Sequence, residues 1–392
     1  MSAGVHRRLR LGMVGGGRGA FIGAVHRMAA RLDDRYELVA GALSSDPERA
    51  AASAADVGID PARSYADWRE MAQAEGRLRR EGRKGIDAVS IVTPNHLHAP
   101  IARAFLAEGI HIICDKPLTV SLAEALELRD LARDHSALFV LTHTYTGYPM
   151  VRHARWLVEQ GAIGELRLLQ VEYAQDWWAE ASAMTEGGWR GDPAIAGPAG
   201  TLGDVGIHAY QLASYVSGCE PDEIAAELHT FAPGRRLDDH VQVMMRYANG
   251  ARGSLWASQV ATGCENALTL RLYGSRAQLR FEQEDPNVLW LTPQGGSAQR
   301  ITRGRASSIA ADQATRIPPG HPEGYIEAFA QLYRDAADRI LALESGRADL
   351  PDSAALPGIA DGVAGHRFIA SVLQSHRRGS AWVRLDEARD PD

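Results

Sequence analysis

Three residues of this 392-residue chain stand in contexts that suit acid–base chemistry: Lys116, Asp204 and His208. Asp204 and His208 are four residues apart, so on a helix their side chains share one face. A carboxylate beside an imidazole orients the ring and stabilises its charged form, and an imidazole exchanges protons near neutral pH. Lys116 directly precedes a proline, which fixes the local turn. The Asp204–His208 spacing suits proton transfer at a substrate, although it also fits a capping aspartate followed by a surface histidine.

A glycine-rich segment, Gly15 to Ala20, reads GGGRGA and fits the pattern G-x-G-x-x-A. It lies between an apolar strand candidate, 9–14, and a helix candidate, 19–32. In that context glycines permit a tight turn and a close backbone approach to a pyrophosphate, while the helix N-terminus supplies free N–H groups. The segment therefore predicts a dinucleotide site, with contacts from Gly15, Gly17, Arg18, Gly19, Ala20 and Phe21.

The type of dinucleotide depends on the residues that follow the second strand candidate, 36–43. An acid at this point holds the adenosine ribose of NAD, and an arginine accommodates the 2′-phosphate of NADP. Here the chain has Ser44 and Ser45, and Asp46 is placed to cap the helix that Pro47 begins. Ser44 and Ser45 are therefore predicted cofactor contacts. Because nothing basic favours NADP, NAD is the expected cofactor, with NADP left open.

Two further strand candidates, 86–92 and 110–114, end in polar turns that read TPNHLH and DKP. Ligands of open α/β sheets bind at the carboxyl ends of the strands, so both turns are expected to face the nicotinamide. The predicted cofactor contacts in these turns are Thr93, Pro94, Asn95, His98, Asp115 and Lys116. His96 and His98 also have the spacing of a metal pair, but no metal is expected.

An alternation of strand and helix candidates carries these motifs. Short connections between them imply parallel strands with right-handed crossovers, so residues 8–146 are predicted to form a doubly wound Rossmann sheet. After residue 147, strand candidates follow one another directly, with turn residues such as Asn249-Gly250 between them. Residues 147–385 are therefore predicted to form an α+β domain with a large, mostly antiparallel open sheet. The basic segment 71–84 is expected to be a solvated insertion, and the tail from Glu387 to be frayed.

Composition narrows the functional class. Lys and Arg total 42 and Asp and Glu total 49, which gives a formal net charge of −7. No basic stripe indicates a nucleic-acid or anionic-membrane surface, and no segment approaches the ~20 apolar residues of a membrane span. The 3 cysteines are too few and too scattered for a disulfide framework or a CxxC metal site. The expectation is a cytoplasmic protein with a small neutral substrate.

Four motifs together resemble the Gfo/Idh/MocA family of oxidoreductases over about residues 8–385: GGGRGA, TPNHLH, CDKP and GDVGIH. CDKP corresponds to the family's E-K-P signature with Asp115 in place of glutamate, and GDVGIH matches its D-x-G-x-H pattern. The resemblance implies a Rossmann domain followed by an α/β domain with a large, mostly antiparallel sheet. It also implies oxidation of a secondary alcohol of a sugar or cyclitol, with Lys116, Asp204 and His208 as the catalytic group.

In that chemistry His208 is expected to take the hydroxyl proton, Asp204 to orient its ring, and Lys116 to stabilise developing alkoxide charge. The expected substrate contacts are Lys116, Tyr145, Tyr148, Trp189, Arg190, His208 and His321. Clustered tryptophans are equally typical of a core or a subunit contact, and His321 also fits a structural cap.

The leading prediction is an NAD(P)-dependent dehydrogenase of a sugar, sugar derivative or cyclitol, which forms a homodimer or homotetramer through its C-terminal sheet. The alternative is an NAD-dependent glycosidase of the same fold that acts by transient oxidation and elimination. Two hypotheses from other classes are a non-catalytic NAD-binding sensor and a metal hydrolase that uses His96 and His98.

Overall fold

The computed structural model describes residues 7–180, 188–347 and 356–390 and divides into two compact units. The first unit comprises the described residues of Met1–Thr119, Glu124–Thr144 and Ile326–Gly362. The second comprises Val120–Ala123, Tyr145–Tyr325 and Val363–Asp392. Among the described residues, no helix is both long enough and apolar enough to cross a lipid bilayer.

The first unit is built on five parallel strands. They are β1 (Leu9–Gly15), β2 (Tyr36–Ala42), β3 (Ala88–Val92), β4 (His111–Cys114) and β5 (Phe139–Leu141). The helices between them are α1 (Phe21–Leu32), α2 (Pro47–Asp56), α3 (Trp68–Arg80), α4 (His98–Ala107) and α5 (Leu122–Arg133). The strand order β2-β1-β3-β4-β5 confirms the predicted Rossmann sheet. Since β1, β3 and β4 are neighbours, the polar turns that follow them share one edge of the sheet.

The sequence explains this sheet locally. Every residue of β3 is buried, as expected for a central parallel strand that is covered on both faces. Helix α2 begins as predicted, because the Asp46 carboxylate accepts a hydrogen bond from the Arg49 N–H at 2.7 Å and Pro47 occupies the first turn.

The second unit contains a nine-stranded sheet. Its strands are β6 (Leu166–Ala174), β7 (Glu223–His229), β8 (His240–Arg246), β9 (Arg252–Ser258), β10 (Ala267–Gly274), β11 (Ala277–Glu282), β12 (Val288–Pro293), β13 (Gln299–Thr302) and β14 (Val383–Arg384). In the order β13-β12-β11-β10-β6-β9-β8-β7-β14, every neighbouring pair is antiparallel except β6 and β9. This confirms the mostly antiparallel sheet. Burial alternates along β8, so one face of the sheet is covered and the other is open.

The later described helices are α6 (Pro149–Glu159), α7 (Pro193–Ala196), α8 (Ile207–Ser217), α9 (Ile309–Ala314), α10 (Tyr325–Glu344) and α11 (Ile359–Arg377). Nearly all of α10 belongs to the first unit, so residues 147–385 do not form one contiguous domain. Tyr333, which is 1% exposed, is one of the residues that join this helix to the first unit. Its hydroxyl lies 2.8 Å from Nδ1 of His26 and 2.6 Å from Oγ of Ser90, and its carbonyl accepts a hydrogen bond from the Tyr36 hydroxyl.

The basic segment 71–84 is not a solvated insertion, because most of it lies in α3 and one face of that helix is buried. Met71 is fully buried. Glu75 is also fully buried, and its carboxylate accepts hydrogen bonds from the Arg63 guanidinium and from the Ile86 N–H, each at 3.0 Å. A buried, paired carboxylate makes a half-buried helix look polar throughout.

The prediction of a frayed tail from Glu387 is also wrong up to Asp390. Ala388 is 3% exposed. The Asp390 carboxylate accepts hydrogen bonds from the main-chain N–H groups of Leu122 and Ala123, at 2.7 and 2.6 Å.

Candidate functional site

The glycine-rich turn joins β1 to α1. Gly15, Gly16 and Gly19 have φ angles of 79°, 71° and 81°, a region that other residues rarely adopt. A Cβ at position 17 would lie 2.6 Å from the carbonyl oxygen of Leu43, so this position also requires glycine. The turn therefore needs glycine for its own conformation and packing, before any ligand is considered.

Position 19 differs from the others because it faces open space. Among the described residues other than Gly19 and its two chain neighbours, no atom lies within 4 Å of the point that a Cβ of Gly19 would occupy. Helix α1 begins directly after the turn, its N-cap residue Ala20 makes no side-chain cap, and its first turn holds no acidic residue. Uncapped N–H groups at the positive end of a helix, beside open space, suit a pyrophosphate. The residues present therefore fit a dinucleotide.

Gly23 is a further required glycine that the sequence motif did not include. A Cβ at this position would lie 2.3 Å from Cα and from the carbonyl oxygen of Gly16. Gly23 thus lets α1 pack directly against the turn, which is the role usually assigned to the last position of the motif.

Two other predicted contacts near this turn, Arg18 and Ser44, have hydrogen-bond partners within the protein. Arg18 forms a two-point ion pair with Asp56, with N–O distances of 2.5 and 2.7 Å, and Phe21 is 77% exposed. Beyond β2, the Ser44 hydroxyl accepts a hydrogen bond from the Asp46 N–H at 3.1 Å. Because Asp46 caps α2, the ribose contact rests with Ser44 and Ser45, and this stays a prediction.

Lys116 follows β4 in a turn that its neighbours hold in place. Oδ1 of Asp115 accepts hydrogen bonds from the Lys116 N–H at 2.9 Å and from the Thr142 hydroxyl at 3.0 Å. The Asp115 N–H donates to the carbonyl of Ile91 at 2.9 Å, which ties the turn to β3. Lys116 is half-buried, and it is one of only two lysines in the chain, the other being the exposed Lys84.

His98 is buried, with 1% of its surface exposed. Its Nδ1 lies 2.7 Å from the carbonyl oxygen of Pro117, and its Nε2 lies 2.9 Å from that of Thr93. Both ring nitrogens are therefore engaged by the main chain, and neither is available to a cofactor or a metal ion. The buried Thr93 hydroxyl has no hydrogen-bond partner within the described ranges, so it can contact a cofactor.

The hypothesis of a metal hydrolase is weakened by this geometry. His98 cannot pair with His96 as a ligand while its nitrogens face carbonyl oxygens. Across residues 7–180, 188–347 and 356–390, no group of three or more His, Cys, Asp or Glu side chains is arranged to hold a metal ion.

Asp204 and His208 lie in the second unit, where the helix changes its winding. Residues Leu202–Gly206 form a π-helical turn, and α8 continues from Ile207, so the single α-helix expected from the spacing is interrupted. Such turns are rare and often occur at functional sites. Both side chains are half-buried.

Asp238 holds the start of this helical segment. Its carboxylate accepts hydrogen bonds from the N–H groups of Gly200 at 2.6 Å and Leu202 at 2.8 Å. Burial raises the pKa of Asp238 to about 6, against the opposing effect of these two hydrogen bonds. A Cβ on Gly200 would lie 2.2 Å from the Asp238 carbonyl oxygen, which explains the glycine at this point.

Asp204 is held by a buried glutamine. Gln259 is fully buried, and its Nε2 donates to Oδ2 of Asp204 at 2.9 Å and to Oε1 of Gln175 at 3.2 Å. Its Oε1 accepts a hydrogen bond from the Thr201 hydroxyl at 2.9 Å, which fixes the orientation of the amide. The carboxylate of Asp204 therefore has a defined position.

The polar chain continues from Gln175 toward His208. Oδ1 of Asn266 accepts hydrogen bonds from Gln175 and from the Tyr173 hydroxyl, each at 2.7 Å. The hydroxyls of Tyr173 and Tyr145 are hydrogen-bonded to each other. The Tyr145 ring meets His208 edge-on, with 4.9 Å between ring centroids. Burial raises the pKa of both phenols, so they stay neutral beside His208.

The second unit thus brings together Tyr145, Asp204 and His208 from the predicted set. Sequence reasoning missed Asp238, Gln259 and the amide–phenol chain, because isolated polar residues at strand ends belong to no motif.

The other predicted substrate residues lie in different surroundings, and of these the Tyr148 ring stacks on that of Tyr145, with 6.3 Å between ring centroids. Tyr148 is 2% exposed, and its hydroxyl accepts a hydrogen bond from Gln283 at 3.3 Å, which is a core position. The Arg190 guanidinium lies over the Trp189 ring, 4.8 Å from its centroid. His321 is exposed, with Nδ1 3.3 Å from a main-chain carbonyl. Their contact with substrate stays a prediction.

Comparison with known proteins agrees with this architecture. A family model described as an oxidoreductase family with an NAD-binding Rossmann fold matches residues 9–151, and the GFO/IDH/MocA C-terminal domain matches 151–280. The solved structure of an oxidoreductase from Sinorhizobium meliloti is 51% identical, covers 97% of this chain and 100% of that chain, and has a TM-score of 0.86.

Two further relatives have named ligands or substrates. An inositol dehydrogenase homolog from Azotobacter vinelandii, solved with NADH and myo-inositol, is 36% identical and has a TM-score of 0.89 over 96% of this chain and 98% of that chain. Levoglucosan dehydrogenase from Pseudarthrobacter phenanthrenivorans is 32% identical over 81% of this chain and 82% of that protein. The chain therefore belongs to the Gfo/Idh/MocA oxidoreductase family, and its N-terminal region is an NAD-binding Rossmann fold.

Proposed function

We propose that this protein is an NAD-dependent dehydrogenase that oxidises a secondary hydroxyl of a sugar, sugar derivative or cyclitol. The observation that carries the proposal is the half-buried pair of Asp204 and His208, with Gln259 holding the carboxylate and Tyr145 packed against the imidazole. The named ligand and substrate of the relatives, myo-inositol and levoglucosan, both carry secondary ring hydroxyls. They support the same substrate class here.

The proposed mechanism divides the work among three side chains. His208 takes the proton of the substrate hydroxyl, and Asp204 orients the ring and stabilises the imidazolium that results. The Lys116 ammonium hydrogen-bonds the same oxygen and stabilises its developing negative charge. Bound NAD supplies the hydride acceptor.

The test is a panel of inositols, monosaccharides, anhydrosugars and glycosides assayed for NAD reduction, with the wild type and two variants. Lys116→Ala and His208→Ala are expected to lower kcat by about 10²–10⁴-fold while NAD affinity is retained. Lys84→Ala is the matched control, because Lys84 is the only other lysine and is exposed. Wild-type turnover in both variants would contradict the assignment.

The same panel separates the dehydrogenase from the glycosidase alternative. A dehydrogenase accumulates NADH in proportion to oxidised sugar. Release of the aglycone from a glycoside without net NADH would overturn the proposal in favour of the glycosidase. NAD binding without turnover of any compound would favour the sensor hypothesis.

We also propose that the enzyme prefers NAD to NADP. The acid nearest the end of β2, Asp46, caps a helix, and the Arg18 guanidinium is paired with Asp56. An arginine that is already paired is a poor partner for a 2′-phosphate. The expected result is a higher kcat/KM with NAD, and equal values for the two cofactors would contradict it.

A homodimer or homotetramer that assembles through the open face of the nine-stranded sheet is the last part of the proposal. Leu168 on β6 and Met244 on β8 are 51% and 56% exposed on this face, which is an unusual exposure for apolar strand residues. Met244→Glu is expected to shift the mass measured by light scattering toward the monomer. Leu343→Glu, at an exposed position of the first unit, is the control. A monomeric wild type would refute this part.

A further inference from the structure

The side chain of His98 faces two groups that can only accept hydrogen bonds. The carbonyl oxygens of Pro117 and Thr93 lie 2.7 Å from Nδ1 and 2.9 Å from Nε2. A neutral imidazole has one N–H and one lone pair, so it can satisfy only one of them. The other nitrogen would then direct its lone pair at a carbonyl oxygen in a buried site. Only the doubly protonated ring donates to both.

The charges around His98 include a matching carboxylate. Asp115 favours a positive charge on the ring, while Lys116 and His26 disfavour one. His26 is itself neutral near pH 7, because burial lowers its pKa to about 4. Burial is the largest influence on the pKa of His98 and lowers it below its ordinary value, although the two carbonyls and Asp115 act in the opposite direction. The charged ring is inferred against this influence, from two hydrogen bonds that a neutral ring cannot donate together. Among the groups that face His98, the repulsion therefore comes chiefly from Lys116.

The two carbonyls belong to the turns that follow adjacent strands. Thr93 directly follows β3, and Pro117 directly follows Lys116 in the turn after β4. A group that bonds both carbonyls fixes the distance between the turns. It also fixes the main chain on the C-terminal side of Lys116, while Asp115 fixes it on the other side.

We infer that His98 is an imidazolium in the working enzyme, that it ties the two turns together, and that it is a positioning residue for Lys116. The protonation state stands on the hydrogen-bond geometry alone. The effect on turnover rests on the proposed role of Lys116. His98 touches neither substrate nor cofactor in this assignment.

The first test reads protonation without any activity. In the full-length protein labelled with ¹⁵N at histidine, His98 is assigned by comparison with His98→Gln, and proton-coupled ¹⁵N spectra are recorded at pH 7.5. Both ring nitrogens of His98 should each carry a proton. One protonated and one bare nitrogen would overturn the inference.

His111 provides an internal reference for that spectrum. Its Nδ1 accepts a hydrogen bond from the Leu138 N–H at 2.8 Å, so this nitrogen must be bare. Burial lowers the pKa of His111 to about 4, which keeps the ring neutral at pH 7.5. The two buried histidines should therefore show opposite states in one sample.

The second test reads the positioning effect. His98→Gln keeps one donor, and we expect kcat to fall by about 10- to 100-fold, the range for a small displacement of a catalytic group. KM for the sugar should change far less, and the acidic limb of the kcat–pH profile should stay in place. His111→Gln is the matched control and should keep kcat. Wild-type kcat in His98→Gln, together with an inactive Lys116→Ala, would refute only the positioning role of His98. An active Lys116→Ala would refute the proposed function, but it would not change the protonation state read from the ¹⁵N spectrum.

Discussion

The variant Gly19→Ala tests whether glycine at position 19 is needed for the fold or for binding of the cofactor. The φ angle of Gly19 is 81°, and within the described part of the chain no atom beyond its two neighbours lies within 4 Å of the position that a Cβ would take. The substitution therefore meets no steric conflict in the free protein. Its cost to folding is the backbone strain of an L-residue in the left-handed region, about 1–2 kcal/mol. If a pyrophosphate occupies the open space, the methyl group displaces it.

The size of the binding effect follows from what a phosphate loses there. A hydrogen bond to a charged group contributes about 1.5–3 kcal/mol, so the loss of one corresponds to a rise in Kd of roughly 10- to 150-fold. Gly58→Ala is the matched control, because Gly58 has a φ angle of 75°, open space around its Cβ position and a place in the same unit. It follows the end of α2 and not the glycine-rich turn.

The assay pairs calorimetric titration of NAD with urea unfolding for the wild type and both variants. We expect similar losses of unfolding free energy in Gly19→Ala and Gly58→Ala, and weaker NAD binding only in the former. If the two variants bind NAD equally well, the open space beside Gly19 is not the pyrophosphate site, and the fit deduced from the turn is wrong.

Three further outcomes are expected. Burial raises the pKa of Asp238 from 3.8 to about 6, so the folded state binds the carboxyl proton more tightly than the unfolded chain does. The protonated carboxyl therefore stabilises the fold fully below pH 3.8, and this stabilisation is lost as the pH rises through 6. The loss amounts to roughly 3 kcal/mol, so urea unfolding between pH 4 and 7 should show wild type losing about that much more free energy than Asp238→Asn, and parallel curves would contradict it. Gln259→Leu removes the donor to Asp204 and should lower kcat by about tenfold or more while NAD affinity is kept, with Gln160→Leu, at an exposed position that follows α6, as the control. Unchanged kcat would show that Asp204 needs no such support. Thr142→Val removes one hydrogen bond to Asp115 and should cost about 1 kcal/mol of unfolding free energy, as measured by urea titration; no loss would mean that this bond contributes nothing.

The Rossmann sheet could be predicted because its signals are local. Apolar strands, capped helices such as α2, and the glycine-rich turn each fall within a few consecutive residues. The errors arose where burial depends on distant partners. Glu75 can be buried because its carboxylate accepts hydrogen bonds from the Arg63 guanidinium and from the Ile86 N–H. Tyr333 joins the first unit through hydrogen bonds of its hydroxyl to His26 and Ser90. Neither pairing leaves a periodic pattern in the chain.

The candidate site was predictable to the same extent. Lys116, Asp204 and His208 lie in recognisable motifs, and the polar turns follow adjacent strands as expected. The residues that hold these side chains in place lie in no recognisable motif. Gln259 and Asp238 are single polar residues in a strand-rich region, and their roles depend on hydrogen bonds to residues 55 and 36–38 positions away. His98 lies in a predicted motif, and the positioning role proposed for it from its two carbonyl partners differs from the predicted cofactor contact.

His98 and Asp238 are alike in what they bind and where they lie. Each is a buried ionisable group, and burial of a charge opposes folding unless hydrogen bonds compensate for the lost hydration. Each forms a hydrogen bond with a main-chain atom near a predicted catalytic residue. His98 contacts the carbonyl of Pro117, next to Lys116, and Asp238 accepts from the N–H of Leu202, shortly before Asp204. Apolar residues in their places would avoid the desolvation cost but could not fix a main-chain carbonyl or N–H. At these two positions a buried ionisable group is kept where a strand-end turn or a helix start must be held in one place, which is what proton transfer between fixed groups requires.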